Sequence, residues 1–153
     1  MTRVVAIFGL ALAALADAEA KPQAPIEACL FAAQTLEAMR ACKGLVFAPC
    51  VKEPENAEST LGLVMCHGRE GDVWQALLIA RTAELNARDP HRAATLRSAN
   101  QAWRAWIEAE CNYHRSEAMG GSAEAVITTH CKSDLTAERV ILLTWQARGN
   151  ILY

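Results

Sequence analysis

Six cysteines and four histidines are the residues of this 153-residue chain that could carry chemistry. An even number of cysteines is typical of a disulfide framework in an exported protein, whereas in a cytosolic protein it more often indicates metal binding or catalysis. The compartment therefore decides which chemistry to expect. The residues concerned are Cys29, Cys42, Cys50, Cys66, Cys111 and Cys131, with His67, His91, His114 and His130.

The N-terminus has the three-part layout of a secretory signal. A basic Met-Thr-Arg start precedes an apolar run from Val4 to Ala16, and Ala18-Glu19-Ala20 matches an A-x-A cleavage pattern. The run is shorter than the roughly 20 apolar residues of a membrane-spanning helix. The alternative is a retained membrane anchor or a buried helix. We expect residues 1–20 to be a signal peptide and residues 21–153 to form one periplasmic or secreted domain.

Two other groupings could support metal chemistry. Cys111 and His114 lie one helical turn apart and His130 adjoins Cys131, which could give a zinc site. Adjacent helical residues point about 100° apart, which hinders joint ligation. The run 65–67, Met-Cys-His, could bind a soft metal such as copper. Because oxidised cysteines neither ligate nor attack, we expect no metal, no cofactor and no catalytic residue. The scattered histidines are expected to be solvated.

Charge and motif content exclude further classes of function. The formal net charge is -2, and the chain without residues 1–20 is close to neutral, whereas nucleic-acid binding favours a basic surface. The sequence contains no phosphate-binding glycine loop, no G-x-S-x-G turn and no H-E-x-x-H motif. We therefore expect a non-enzymatic protein that binds neither nucleic acid nor, after signal cleavage, a membrane.

The elements that position these residues are predicted to be helices. Apolar residues recur at a spacing of three or four, and no alternating β-branched run predicts a strand. We predict an all-α fold, a small bundle of three to four helices stapled by disulfides. We predict a tether over 21–25, a first helix from Ile26 and a loop around Pro49 to Ser59. A second helix, capped by Ser59 or Thr60, follows, and a third runs from Asp89-Pro90 to about Ala118 and stops at Gly120-Gly121. After them we predict a short segment after Ser122 and a last helix that is capped by Asp134 or Thr136 and ends near Gly149.

The tryptophans are expected in the core because they fall on apolar helical stripes. They are Trp74, Trp103, Trp106 and Trp145.

Six cysteines allow 15 pairings, and although sequence alone does not choose among them, spacing favours local pairs. Cys50–Cys66 and Cys111–Cys131 would close local loops, and Cys29–Cys42 follows by elimination. An unbroken helix would hold Cys29 and Cys42 about 20 Å apart, whereas a disulfide needs Cα atoms within about 7 Å. The third pair therefore requires a helix break near residues 34–35.

The segment LRSANQAWRAWIEAEC at residues 96–111 resembles the lysozyme inhibitor LprI-like family. That family has an L-R-x-A-Q-x-A-W helix ending in cysteine, then a Gly-Gly turn, a second cysteine and a T-x-x-R-x-x-x-L helix. The resemblance extends over roughly residues 29–146. Matching positions are Leu96, Arg97, Ala99, Trp103, Cys111, Gly120, Gly121, Cys131, Thr136, Arg139 and Leu143.

Four positions depart from the family pattern. Asn100 replaces a glutamine, Ile107 a polar or basic residue, and Ile79 and Thr82 an asparagine and a tyrosine. We expect these positions to be exposed and available to a partner. The chain also lacks the lipidation cysteine of the lipoprotein that gave the family its name.

The resemblance implies a helical envelope protein that binds lysozyme and inhibits it by occluding its substrate cleft. The loops expected to enter the cleft are Pro49–Thr60 and Met119–Ala123. The alternative is a non-catalytic structural or interaction module of the cell envelope with another protein partner.

Overall fold

A computed structural model describes residues 22–57 and 59–150 of the chain. The predicted signal peptide, residues 1–20, lies outside the described residues. Within them no strand is present, and the predicted all-α, disulfide-linked bundle is confirmed. The helices are α1 (Ala24–Ala32), α2 (Leu36–Arg40), α3 (Phe47–Cys50), α4 (Thr60–Arg88), α5 (Ala93–Ser116) and α6 (Ala123–Ala147), with a 3₁₀ turn over Pro90–Arg92.

The three long helices form the body of the fold, with α6 packed against both α4 and α5. Helices α4 and α6 run parallel, since Gly68 adjoins Thr129 near one end and Arg88 donates to the carbonyl of Ala147 near the other. Helix α5 runs antiparallel to both. It makes few contacts with α4, and α4 and α5 therefore leave an open side.

The short helices α1 and α2 help to cover the core that α4 and α6 form. Burying each large apolar side chain contributes about 1.5–3 kcal/mol. Trp74 is fully buried there, as expected, and Trp103 and Trp145 pack half-buried against it. Trp106 is 48% exposed, so the expectation that it lies in the core is wrong. The largest buried side chains are Ile26, Leu30, Met39, Trp74, Leu77, Val140, Ile141 and Leu143.

The break between α1 and α2 falls where the cysteine spacing requires it. Ala33 adopts an extended backbone conformation, and the Thr35 hydroxyl accepts from the backbone N–H of Ala38 at 3.0 Å, which starts α2. The chain reversal brings the Cα atoms of Cys29 and Cys42 to 5.8 Å. Arg148 at the end of α6 donates to the carbonyl of Ala33 at 2.6 Å, which satisfies the end of α1.

Several predicted boundaries are wrong. Helix α6 is continuous from Ala123, so neither Asp134 nor Thr136 caps a helix. Their side chains have other partners: Asp134 accepts from Lys43 at 2.9 Å, and the Thr136 hydroxyl donates to the Lys132 carbonyl at 2.7 Å.

Proline positions explain the other errors. Pro25 lies in the first turn of α1, where a missing N–H costs nothing, so α1 starts inside the predicted tether. Pro90 begins a 3₁₀ turn and α5 follows from Ala93. Pro49 lies in the short helix α3, inside the predicted loop.

The buried Glu70 carboxylate fixes the segment that precedes α3. It accepts three backbone N–H groups, from Gly44 at 2.7 Å, Val46 at 3.0 Å and Phe47 at 2.7 Å. It also accepts from the indole N–H of Trp74 at 3.2 Å. A single carboxylate therefore ties residues 44–47 to the middle of α4.

We predict that Glu70→Gln lowers the free energy of unfolding by about 2 kcal/mol, because an amide cannot accept from all four donors and leaves buried groups unpaired. Urea denaturation of the oxidised protein measures this change. Glu84→Gln is the matched control, since Glu84 lies on the same helix in exposed ion pairs with Arg81 and Arg88. Its loss should stay within about 1 kcal/mol. Equal losses in the two variants would contradict the assigned role of Glu70.

Candidate binding surface at the disulfide-linked end

Two disulfides lie at the end of the bundle where α4 and α6 begin and α5 ends. Cys50–Cys66 joins α3 to α4, and Cys111–Cys131 joins α5 to α6, each with Cα atoms 5.6 Å apart. The pairs, including Cys29–Cys42, are those that the cysteine spacing favours. We call this region, formed by residues 50–66 and 111–131, the disulfide-linked end. It presents two loops, residues 51–59 and 117–122.

The loop over 51–59 is fixed from inside by Asn56. The buried Asn56 amide donates to the carbonyl of Cys50 at 3.2 Å and to the carboxylate of Glu53 at 2.9 Å. Its backbone lies against α4 so closely that a Cβ on Gly62 would be 2.0 Å from the Asn56 carbonyl oxygen. Ser59 then caps α4 by accepting from the Gly62 N–H at 2.9 Å, as one of the two predicted caps. These contacts hold Asn56 and the backbone beside it against the start of α4.

The loop over 117–122 turns through left-handed backbone conformations. Met119, Gly120 and Gly121 have φ values of 46°, 80° and 129°. The N–H of Gly120 donates to the Glu124 carboxylate at 3.0 Å, which fastens the loop to the start of α6. The Met119 side chain is 92% exposed. The turn therefore places a large apolar side chain in solvent at its tip.

An aromatic stack links α3, α4 and α6 beside the Cys50–Cys66 disulfide. The rings of Phe47 and His67 stack with centroids 4.1 Å apart, and those of His67 and His130 lie 4.6 Å apart. Burial, and next the proximity of His130, lower the pKa of His67, while Glu70 acts in the opposite direction. The expectation that the histidines are separate is wrong for this pair, and the expectation that they are solvated is wrong for His67, which is half-buried, whereas His130 is exposed.

A groove of about 530 Å³ runs between α4 and α5 with α6 as its floor. The floor residues are Thr128, Thr129, Lys132, Ser133 and Thr136, and the walls are Gly68, Gly71, Asp72 and Gln75 on α4 with Trp103, Arg104, Ile107 and Glu108 on α5. Two residues of the family pattern, Trp103 and Thr136, therefore line one surface.

Arg139 closes the α5–α6 interface further along the same helices. Its guanidinium donates to the Asn100 amide oxygen at 2.7 and 3.1 Å, and the Asn100 amide donates to the Thr82 hydroxyl at 3.1 Å. Burial lowers the pKa of Arg139. This network spans all three long helices and gives Arg139 a bridging contact.

The remaining family positions are dispersed. Leu96 packs half-buried against the core, and Arg97 is exposed. Asn100 and Ile107 are buried, so the expectation that these departures are exposed is wrong; Ile79 is 63% exposed.

The described residues form neither a metal cluster nor a membrane-spanning helix. In the described ranges no cysteine is free, and no group of three or more histidine, cysteine, aspartate or glutamate side chains is placed to hold a metal ion. Over the same residues, no helix has the length and apolar content to span a membrane.

The disulfide-linked end is more acidic than the chain as a whole. By sequence, residues 50–60 contain one lysine and three glutamates, and residues 111–124 contain one arginine and two glutamates. These segments together carry an excess of three negative charges, whereas the whole chain carries -2. Glu53 is paired with Arg69 at 2.8 Å, while Glu55 and Glu117 are exposed.

Sequence reasoning missed Glu70, Asn56 and the His67–His130 pair. Each acts through contacts between elements far apart in sequence, and a lone polar residue on a helix gives no signal of such a partner. The buried Asn56 had one available signal, since asparagine is favoured where a side chain bonds to nearby backbone.

The model of the family described as lysozyme inhibitor LprI matches residues 50–143. The match covers more than half of the chain, which therefore belongs to this family. It includes the disulfide-linked end and the groove, whereas Cys29, Cys42 and helices α1 and α2 precede it. No curated protein and no solved structure matches the chain significantly.

We predict that folding stability falls as the pH drops below about 6.5, the ordinary pKa of histidine. Because the folded pKa of His67 is lowered, the unfolded chain binds more protons there, and stability is present above this pH and lost below it. The groups facing His67 are Phe47, His130 and Glu70.

Urea denaturation between pH 7.5 and pH 5 measures this slope. His67→Gln should flatten it, whereas His91→Gln, at an exposed position, should leave it unchanged. Identical slopes in wild type and His67→Gln would contradict the prediction.

Proposed function

We propose that this LprI family member is a non-catalytic inhibitor of lysozyme that acts in the periplasm or outside the cell. The observation that carries the proposal is the family match over residues 50–143. We infer that the disulfide-linked end is the binding surface and that its two loops occlude the substrate cleft of the enzyme.

The bonds that fasten the loops support this choice of surface. Each loop lies inside a disulfide-closed segment, and each is fastened by hydrogen bonds, at Asn56 in one and at Gly120 in the other. A loop that is already ordered loses little conformational entropy on binding, so more of the contact energy appears as affinity. Met119 supplies an apolar tip that a cleft could bury.

The charge of the surface supports it as well. Although the chain is near neutral overall, the excess of glutamates at the disulfide-linked end gives a local negative potential toward a basic lysozyme. Such complementarity mainly raises the association rate and makes it dependent on salt. Glu55 and Glu117 are the exposed carboxylates at the two loops.

We predict that the purified, oxidised protein in molar excess inhibits lysis of bacterial cell walls by at least one lysozyme type. Turbidity of a cell-wall suspension, measured for several lysozyme types, tests this. An absence of inhibition for every type would overturn the proposed function. In that case, co-purification with another envelope protein would support the alternative of an interaction module.

Surface variants locate the interaction. Met119→Asp and Glu55→Lys should each weaken inhibition by about tenfold or more, the effect of losing roughly 1.4 kcal/mol at an interface. Phe31→Asp and Glu37→Lys are the matched controls, because Phe31 is 84% exposed near the far ends of α4 and α6 and Glu37 is exposed on α2. Losses in the controls equal to those in the loop variants would reject the disulfide-linked end as the binding surface.

A further inference from the structure

We propose that the groove between α4 and α5 is a separate binding site for a neutral carbohydrate. The groove has a volume of about 530 Å³, within the range of about 300–1,000 Å³ that small-molecule sites occupy. It shares Thr128 and Thr129 with the disulfide-linked end but includes neither of its two loops.

The groove exists because α4 presents little side-chain volume at this point. The atoms nearest to a Cβ on Gly71 would be those of Ser133, at 3.5 Å or more, and a Cβ on Gly68 would meet only the Thr129 side chain, at 3.9 Å. Helix α4 therefore lies close to α6, while α5 makes few contacts with α4. Three helix surfaces surround a space that side chains do not fill.

Hydroxyl groups on the floor are set to accept hydrogen bonds. The hydroxyls of Thr128, Thr129 and Thr136 each donate to a backbone carbonyl one turn earlier, at 2.8, 2.6 and 2.7 Å. Each hydroxyl proton is already used in this hydrogen bond, but each oxygen keeps lone pairs that can accept a hydrogen bond from an incoming O–H group. A ligand rich in hydroxyl donors suits this floor.

Planar polar side chains stand on the walls. Asp72 accepts, Gln75 both donates and accepts, and Arg104 donates, so they could complete the hydrogen bonds of a ligand bearing several hydroxyls. All three are exposed and need no rearrangement of the core to reach a ligand.

The charges along the groove balance. Asp72 and Glu108 are opposed by Arg104 and Lys132, and Lys132 pairs with Glu108 at 2.8 Å. Such a lining selects neither anions nor cations. A wholly apolar occupant would leave any of these polar groups that it covers without a hydrogen-bond partner, which is costly. A neutral polyhydroxylated ligand avoids that cost.

Trp103 supplies the apolar surface that a sugar ring needs. It lines the groove and packs half-buried against the core, which holds its ring in place. An aromatic ring buries a large area and can stack on the C–H face of a pyranose. Trp106, one turn further along the same helix, is exposed and lies outside the groove lining, which makes it a matched control.

Titration of the purified protein with three neutral sugars tests the site: chitotriose, cellotriose and maltotriose, followed by tryptophan fluorescence and by calorimetry. We expect saturable binding of at least one of them. The double variant Asp72→Ala/Gln75→Ala should weaken this binding about fivefold or more, a loss of roughly 1 kcal/mol. Trp103→Phe should weaken it less than Trp103→Ala, and Trp106→Ala should leave it unchanged.

The absence of saturable binding for all three sugars up to about 10 mM, a concentration far above functional dissociation constants, would overturn the site. Equal binding by the Asp72→Ala/Gln75→Ala variant and wild type would also overturn it. So would loss of binding in Trp106→Ala alone. The Asp72→Ala/Gln75→Ala variant changes only exposed side chains. Its comparison with wild type therefore tests the site even if Trp103→Ala fails to fold.

The same variants separate the carbohydrate site from lysozyme binding. Asp72→Ala/Gln75→Ala should keep the inhibition of the wild type, and Met119→Asp should keep its sugar affinity. Joint loss of both activities in either variant would contradict a separate site.

Discussion

Covalent attachment of each connection to a neighbouring helix is the constraint on which the rest of the structure depends. The three disulfides join cysteines separated by 13, 16 and 20 positions in sequence, and each closure contributes about 3 kcal/mol in the chain-entropy model. Against a typical domain stability of about 5–15 kcal/mol, this is a large share. Because of these disulfides, α1 to α3 can be short, and α5 can make few contacts with α4 while it stays joined to α6.

The proposed function depends on where those bridges lie. Two of the three meet at one end, where the parallel course of α4 and α6 brings both loops to the same side of the molecule. Because the disulfides hold the segments that carry these loops, the side chains at the loop tips are not needed as anchors. They can therefore be exposed, as Met119 and Glu55 are. The groove depends on the same frame, because Cys111–Cys131 anchors α5 to α6 while α4 packs mainly on α6.

Local features of the fold could be predicted from the sequence. The helix break near residue 35, the Ser59 cap and the Gly120-Gly121 turn each depend on residues within a few positions of one another. The favoured disulfide pairs joined cysteines near in sequence, and the spacing of Cys29 and Cys42 itself required the break. Short-range stereochemistry carries this information.

Features that depend on the register between long helices could not be predicted. The stacking of His67 on His130, the exposure of Trp106 and the burial of Asn100 follow from which faces α4, α5 and α6 turn toward each other. An apolar stripe shows which face of a helix is buried, but it does not show which other helix covers that face. The groove could not be predicted from the sequence either, because Gly68 and Gly71 indicate there only a weakened helix.

Disulfide mapping of the purified, oxidised protein by mass spectrometry under non-reducing conditions tests this covalent framework most directly. We predict linked peptides for Cys29–Cys42, Cys50–Cys66 and Cys111–Cys131, with no alkylation of thiols before reduction. Free thiols at positions 50, 66, 111 or 131, or a different pairing among them, would contradict it.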